Sequence, residues 1–487
     1  MDLKQKTIQG VFWSVIQNWV SQAGSLLVFL VLARLLEPKD FGLIALANIF
    51  ITFMHIFLDQ GLSQALIQRE KLEPAHIDTA FWIQLGLGIL LTGLSFISAG
   101  WIANFFHEPK LVLVLQCLSI IFFIDAFKQV QIAILKRKFA FQIMATRVLA
   151  GILVGGIVGV VMGLAGFGVW SLVSQQLVFE FVGVIVLWSA SDWRPRWQFS
   201  VIHAQELFNY GIHIFIYQFV KFLNQRTDSL LIGYFLGEVA LGYYAIANRI
   251  LQVMTQLLAT TTNQVILSTF CRLQAELSHL RQAFYQATQF TSLIAFPTFI
   301  GMIVLTPELV TLLFGQKWIP AIPIIRILAL AGMLNSVSSF QQSVFMAMGK
   351  PSWSLRLGIL NTALNVLFCM LAVQWGLLAV AIAYVFSDYL VFPVGQWAVS
   401  KLIKTPCLTY LQQFITPAFS TLVMTIVILA VKYFCRDSVN YQGVLIICTL
   451  IGAVTYGLVL RWSAPKLFQH LWEILFLFAS RFQGEKV

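Results

Sequence analysis

Runs of roughly twenty apolar residues recur from one end of this chain to the other, separated by short polar breaks, and that recurrence limits the possible folds more than any other feature. Fourteen such runs fit into the 487 residues, from one near residue 22 to one near residue 452. A run of that length crosses a bilayer as a helix, whereas barrel strands need only about ten residues of alternating polarity. Hydrocarbon offers backbone groups no partner, so the fitting element is the helix, which satisfies its own. The composition agrees, with 59% of residues hydrophobic and 10% charged, against about a quarter charged in soluble domains. The expectation is an all-α polytopic membrane protein of fourteen transmembrane helices.

The first run, about Gly10 to Leu32, is longer than a signal-peptide core and is interrupted by Gln17, Asn18, Ser21 and Gln22, so it is expected to remain in the protein. The cysteines (Cys117, Cys271, Cys369, Cys407, Cys435 and Cys448) stand singly, without metal-ligand spacing, which suggests apolar packing; neither a disulfide framework nor a zinc site is indicated, and no metal is expected. No glycine-rich nucleotide loop occurs, so neither a cofactor nor direct ATP drive is expected.

The formal net charge is +11, and where the cations sit explains it. Alternate breaks carry the clusters Lys136–Lys138, Arg194 with Arg196, and Lys401 with Lys404, whereas the opposite breaks hold only Arg34, Lys39, Lys110, Lys317, Lys432 and Arg436. Under the positive-inside rule both termini are cytoplasmic and the number of spans is even. The basic excess then reports orientation and contact with anionic membrane lipids, not a nucleic-acid partner.

The chain also repeats itself. "LLEPKDFGLIALANIF" (35–50) aligns with "FLGEVALGYYAIANRI" (235–250) at an offset of 200, matching Leu36 with Leu236, Gly42 with Gly242, and Asn48 with Asn248. A second echo pairs "KRKFAF…GLAGFGVWSLV" (136–173) with "GKPSWS…GLLAVAIAYV" (349–385). Six spans separate the copies, so the halves share one orientation, an arrangement of transporters whose path lies between them. The expected division is an N-terminal six-helix lobe (1–192), a cytoplasmic linker (193–205), a C-terminal six-helix lobe (206–400), two further spans (401–462) and an amphipathic tail along the membrane (463–487).

Polar residues fall on helical stripes within these greasy runs. Asn48, Thr52, His55 and Asp59 are spaced 4, 3 and 4 apart and share a face. In the second copy that face reads Asn248, Gln252 and Thr255, while Asn18, Ser21 and Ser25 of the first span answer to Gln218, Lys221 and Gln225 of the seventh. Mid-membrane polar and ionisable groups usually face a partner or a wet cavity, so the four stripes are expected to line a central hydrated cleft. Among the charges, Asp125 and Lys128 stand i, i+3 and can neutralise each other. Asp228 and Arg249 lie equally far from the break near Gly237 and can pair across it. Glu180 and Asp388 stand isolated near the centres of spans six and twelve.

In "VLARLLEPKDFGLIALA" (31–47), "FLDQGLSQALIQRE" (57–70), "NQRTDSLLIGYFLGEVALGYYAIANRI" (224–250) and "GLAGFGVWSLV" (163–173) the chain resembles the Wzx-type flippases of the superfamily that also holds MATE drug exporters and peptidoglycan-precursor flippases. The resemblance implies two six-helix lobes in a V shape that alternate between inward-open and outward-open forms in the bacterial inner membrane. It implies as substrate an undecaprenyl-diphosphate-linked oligosaccharide for exopolysaccharide, O-antigen or capsule biosynthesis, with a polysaccharide polymerase and a chain-length regulator as further partners. Lys221, with Arg249 or Arg226 as a second cation, is the candidate diphosphate contact. Asn18, Gln22, Asn48, Thr52, Gln218, Gln225, Asn248 and Gln252 are candidate sugar contacts. Asp59 and His55, one turn apart, can share a proton or cation and form the candidate coupling site. A multidrug or organic-cation antiporter of the same superfamily is the competing reading, disfavoured by Lys221 and by a first span with no acidic residue. A membrane glycosyltransferase or polymerase would need a sizeable external loop, and the longest outside break is about Thr306 to Pro320.

Overall fold

The protein, described by a computed structural model, is helical throughout, and no strand occurs among the described residues. The structure describes the backbone of residues 3–58, 62–68, 73–435, 440–465 and 467–469, and the side chains of these except at 3–18, 64, 68, 205–217, 257–265 and 407. Among the described residues twelve helical stretches are long and apolar enough to cross a membrane, and Trp19–Leu35 is apolar but shorter. Nearly all of the expected amphipathic tail lies outside the described residues.

Seven helices come first: α1 (Leu3–Leu35), α2 (Pro38–Leu58), the short α3 (Leu62–Gln68), α4 (Pro74–Phe105), α5 (Leu111–Arg137), α6 (Phe141–Leu164) and α7 (Val169–Ala190). The long α8 (Val201–Leu273) is broken at Gly237, whose φ of 79° with an extended ψ suits a residue without a Cβ. After it come α9 (Leu277–Leu313), α10 (Ile322–Ala347), α11 (Pro351–Ala372), α12 (Leu377–Ile403), the short α13 (Cys407–Gln412), α14 (Ile415–Cys435) and α15 (Tyr441–Ser463).

The chain forms two compact units, Met1–Ile246 and Ala247–Val487. In the first, α4 lies along α5, α6 along α7, and α5 against both α7 and α2, with α1 on α6. In the second, α9 lies along α10, α11 along α12, and α10 against α12. The internal repeat is thus visible as one packing order used twice. Each unit also has its own aromatic-rich core, around Phe81 and Val130 in the first and around Phe284 and Phe340 in the second. The added helices α14 and α15 pack on each other and on α9 through Met424, Ile428, Val444 and Leu305.

Within the first unit the two repeated turns meet each other. A Cβ built on Gly42 would fall 1.7 Å from the carbonyl oxygen of Glu238, and one on Gly242 would fall 1.9 Å from that of Pro38. Residues 38 and 238, like 42 and 242, are repeat equivalents, so the contact is reciprocal, as between symmetry-related surfaces. Only glycine allows so close a backbone approach.

Candidate functional site

The polar stripe of α2 faces a cavity of about 520 Å³ inside the first unit, bounded by α1, α2, α5, α6 and α7. α1 supplies Ser21, Gln22 and Ser25 to its wall, and α2 supplies Asn48, Thr52 and His55. α7 adds Gln175, Gln176 and Glu180, and α6 contributes Val148, Gly151, Ile152 and Gly156. The approach of α7 depends on small residues along α6: a Cβ on Gly155 would stand 2.8 Å from the Gln175 carbonyl oxygen, the close packing that glycine permits between membrane helices. The result is a recess rich in amides and hydroxyls among hydrophobic helices. The Thr52 hydroxyl donates to the Asn48 carbonyl at 2.6 Å, which holds its orientation on the stripe.

An ionic cluster closes one side of this recess. His55 Nε2 lies 3.4 Å from Asp125 Oδ2, with its ring edge-on to Phe122. Lys128, almost wholly buried, sits between Asp125 and Glu180 and bonds both carboxylates. Arg147 of α6 stands within electrostatic reach of Glu180 and Asp125. The i, i+3 pairing of Asp125 with Lys128 is as expected, but Glu180 is not isolated. Burying a carboxylate is tolerable only where cations and hydrogen bonds compensate it, and Lys128 provides that compensation. Two acids face two bases, and the imidazole of His55 stands at their edge.

In the second unit Asp388 is not isolated either. It accepts hydrogen bonds from Asn361 Nδ2 at 3.1 Å and from Asn335 Nδ2 at 3.5 Å. The expected ion pair of Asp228 with Arg249 is replaced by a different contact, since the buried Asp228 accepts from the Tyr244 hydroxyl and the Ser229 amide. A neutral phenol meets the carboxylate there without burying a second charge.

The structure therefore gathers Gln22, Asn48, Thr52 and His55 of the expected site residues, and none from the second half of the chain lines this cavity. Lys221, Gln225 and Gln252 are exposed, and Gln218, Arg226, Asn248 and Arg249 are half-buried. Next to Lys221, Phe222 is buried against Phe53 of α2, with ring centroids 5.4 Å apart. The side chain of Asn18, and Asp59 as a whole, lie outside the described residues. Gln175 and Gln176 escaped the sequence reading, which noted Glu180 only as an isolated acid, although the three form with Ser171 a helical stripe like that of α2.

A family profile described as "Polysaccharide biosynthesis protein" matches residues 31–323. The chain belongs to this family. Among its relatives, the teichuronic acid biosynthesis protein TuaB of Bacillus subtilis (strain 168) is 26% identical over 95% of this chain and 97% of its own length. The lipopolysaccharide biosynthesis protein WzxC of Escherichia coli (strain K12) is 26% identical over 75% and 74%. Among solved structures, the lipid II flippase MurJ in an inward closed conformation superposes with a TM-score of 0.77 at 16% identity, covering 94% of this chain and 99% of that one. The chain is thus a polytopic membrane protein of a polysaccharide-biosynthesis family, with a fold like that of the MurJ structure.

Proposed function

We propose that this protein is a flippase that carries undecaprenyl-diphosphate-linked oligosaccharide units from the cytoplasmic to the outer leaflet of the bacterial inner membrane. It is a transporter and not an enzyme. The observation that carries the reading is the cavity itself, an amide- and hydroxyl-lined recess enclosed by membrane helices in a member of a polysaccharide-biosynthesis family. A glycan offers many hydroxyls whose transfer into hydrocarbon without partners is costly, and the side chains of Gln22, Asn48, Thr52, Gln175 and Gln176 can replace water around it. The diphosphate calls for cations, and Lys221 with Arg249 or Arg226 is assigned to it, with Gln218, Gln225, Asn248, Gln252 and Asn18 as further sugar contacts. The prenyl chain stays in lipid.

Both termini are assigned to the cytoplasm on the positive-inside bias, and a count of fourteen crossings takes Gln218–Gln256 as two about Gly237 and α1 as one. Lobes 1–192 and 206–400 alternate access. A polymerase and a chain-length regulator act on the delivered units. Coupling to a cation gradient is assigned to His55, with Asp59 one turn beyond it.

An organic-cation antiporter would need an uncompensated carboxylate in its pocket, and the Glu180 carboxylate on this wall is already bonded by Lys128. The test is reconstitution in liposomes with a labelled prenyl-diphosphate oligosaccharide and, in parallel, a labelled organic cation. Accelerated transbilayer movement of the glycan lipid alone is expected; transport of the cation alone would favour the antiporter.

A further inference from the structure

Away from the cavity, residues 193–203 run from the end of α7 to the start of α8 and are fastened onto the first turns of α4. The Arg196 amide donates to Asp78 Oδ1 at 3.2 Å, the Ser200 amide donates to Thr79 Oγ1 at 3.1 Å, and Trp82 Nε1 donates to the Arg196 carbonyl at 2.8 Å. Trp82 and Trp197 stack with ring centroids 4.4 Å apart. These contacts bring His203 over His76, ring centroids 3.8 Å apart, although the two are distant in sequence. Glu73, at the start of α4, lies on the same spot, with its carboxylate 3.9 Å from His203 Nε2. One ligand atom from each of the three lies within 4.8 Å of the others.

We infer that Glu73, His76 and His203 form a binding site for a divalent transition metal, zinc in the first instance, that ties the start of α8 to α4. Zinc bonds of about 2.0–2.2 Å in a tetrahedron put ligand atoms roughly 3.4 Å apart. Glu73 is exposed and His203 half-buried, so rotation of these two side chains closes the remaining gap while the buried His76 stays in place. Two imidazoles and a carboxylate suit borderline metals and not magnesium or calcium, which prefer all-oxygen shells. Three protein ligands leave the fourth position to water. A metal here staples the linker to α4 and limits how far α8 can swing from it. The linker contacts with Asp78, Thr79 and Trp82 pre-form the site, so binding requires little ordering.

The test uses the full-length chain in detergent, carrying a purification tag without histidines, stripped with chelator and titrated with zinc by calorimetry alongside metal analysis. One zinc per chain is expected for the wild type. Glu73→Gln and His203→Gln, both at accessible positions compatible with folding, should each weaken binding at least tenfold, and the double variant should lose the site. A wild-type chain without saturable zinc binding overturns the proposal, as does zinc affinity unchanged in both variants.

Discussion

The same place in the two repeats is built with opposite chemistry. Glu180 is the twelfth residue of α7 and Asp388 the twelfth of α12. Around Glu180 the neighbours are charged, with Lys128 bridging it to Asp125, Arg147 nearby and His55 at the edge. Around Asp388 they include the amides of Asn335 and Asn361. Both α5–α7 and α10–α12 pack in the same way, so the backbone does not force the difference. An amide partner holds a carboxylate in place, but its charge cannot vary. A cluster with a histidine beside two acid–base pairs can gain or lose a net charge while the packing stays intact. The repeat thus keeps one scaffold, and at this place, among the described residues, the first copy has a histidine beside its carboxylates where the second has asparagines.

Breaking the two clusters should have unequal consequences. Lys128→Met leaves the buried Asp125 and the half-buried Glu180 without their shared cation, and removing one partner of a buried ionic group costs about 3–5 kcal/mol. Loss of folded protein, followed by thermal melting in detergent, is the expected result, with partial rescue when Glu180→Gln is added. Asp388→Asn should cost less, about 1–3 kcal/mol, because the disturbed partners are neutral amides. Equal losses for the two would show that the clusters are energetically alike and remove the contrast.

The reciprocal turn contact provides a symmetric control. Gly42→Ala and Gly242→Ala each place a methyl group against a carbonyl of the other turn, an overpacking cost of about 1–3 kcal/mol. The two variants should be destabilised to a similar extent, and the double variant should cost less than their sum, since opening the contact once relieves both clashes. Full additivity would mean that the turns act separately.

The smallest effect concerns Glu108, in the connection between α4 and α5. Burial raises its pKa above the usual carboxyl value, with Lys110 and a hydrogen bond with Glu238 opposing that shift. An acid whose folded value is raised binds its proton more tightly in the native state. Its stabilising contribution is therefore present at low pH and fades as pH rises through the raised value. Glu108→Gln should flatten the melting temperature against pH over that interval, slightly and without changing transport at neutral pH.

What could be read in the sequence follows physical range. The helix period made the α2 stripe of Asn48, Thr52 and His55 visible, and the i, i+3 spacing made Asp125–Lys128 visible, because both are local. The partnership of Lys128 with Glu180 joins helices through packing, and no periodicity announces it. The expected Asp228–Arg249 pair rested on equal distance from the turn, yet the bend at Gly237 brings Tyr244 opposite Asp228 instead. The repeat showed that the two turns correspond but not that they would touch, since contact depends on how the helices are brought together. The cleft was expected to draw on four stripes from both halves; the cavity in the first unit draws on two of these together with α7, whose Gln175 and Gln176 carry the same helical spacing.

We propose that the first-unit cluster couples a proton gradient to movement of the glycan lipid, whereas the second-unit cluster holds its helices together. The direct measurement is transbilayer movement of a labelled prenyl-diphosphate oligosaccharide in proteoliposomes, with and without an imposed proton gradient, for the wild type, His55→Gln and Asp388→Asn. The gradient is expected to accelerate the wild type and Asp388→Asn alike and to have no effect on His55→Gln. A His55→Gln protein that responds to the gradient as the wild type does would contradict it.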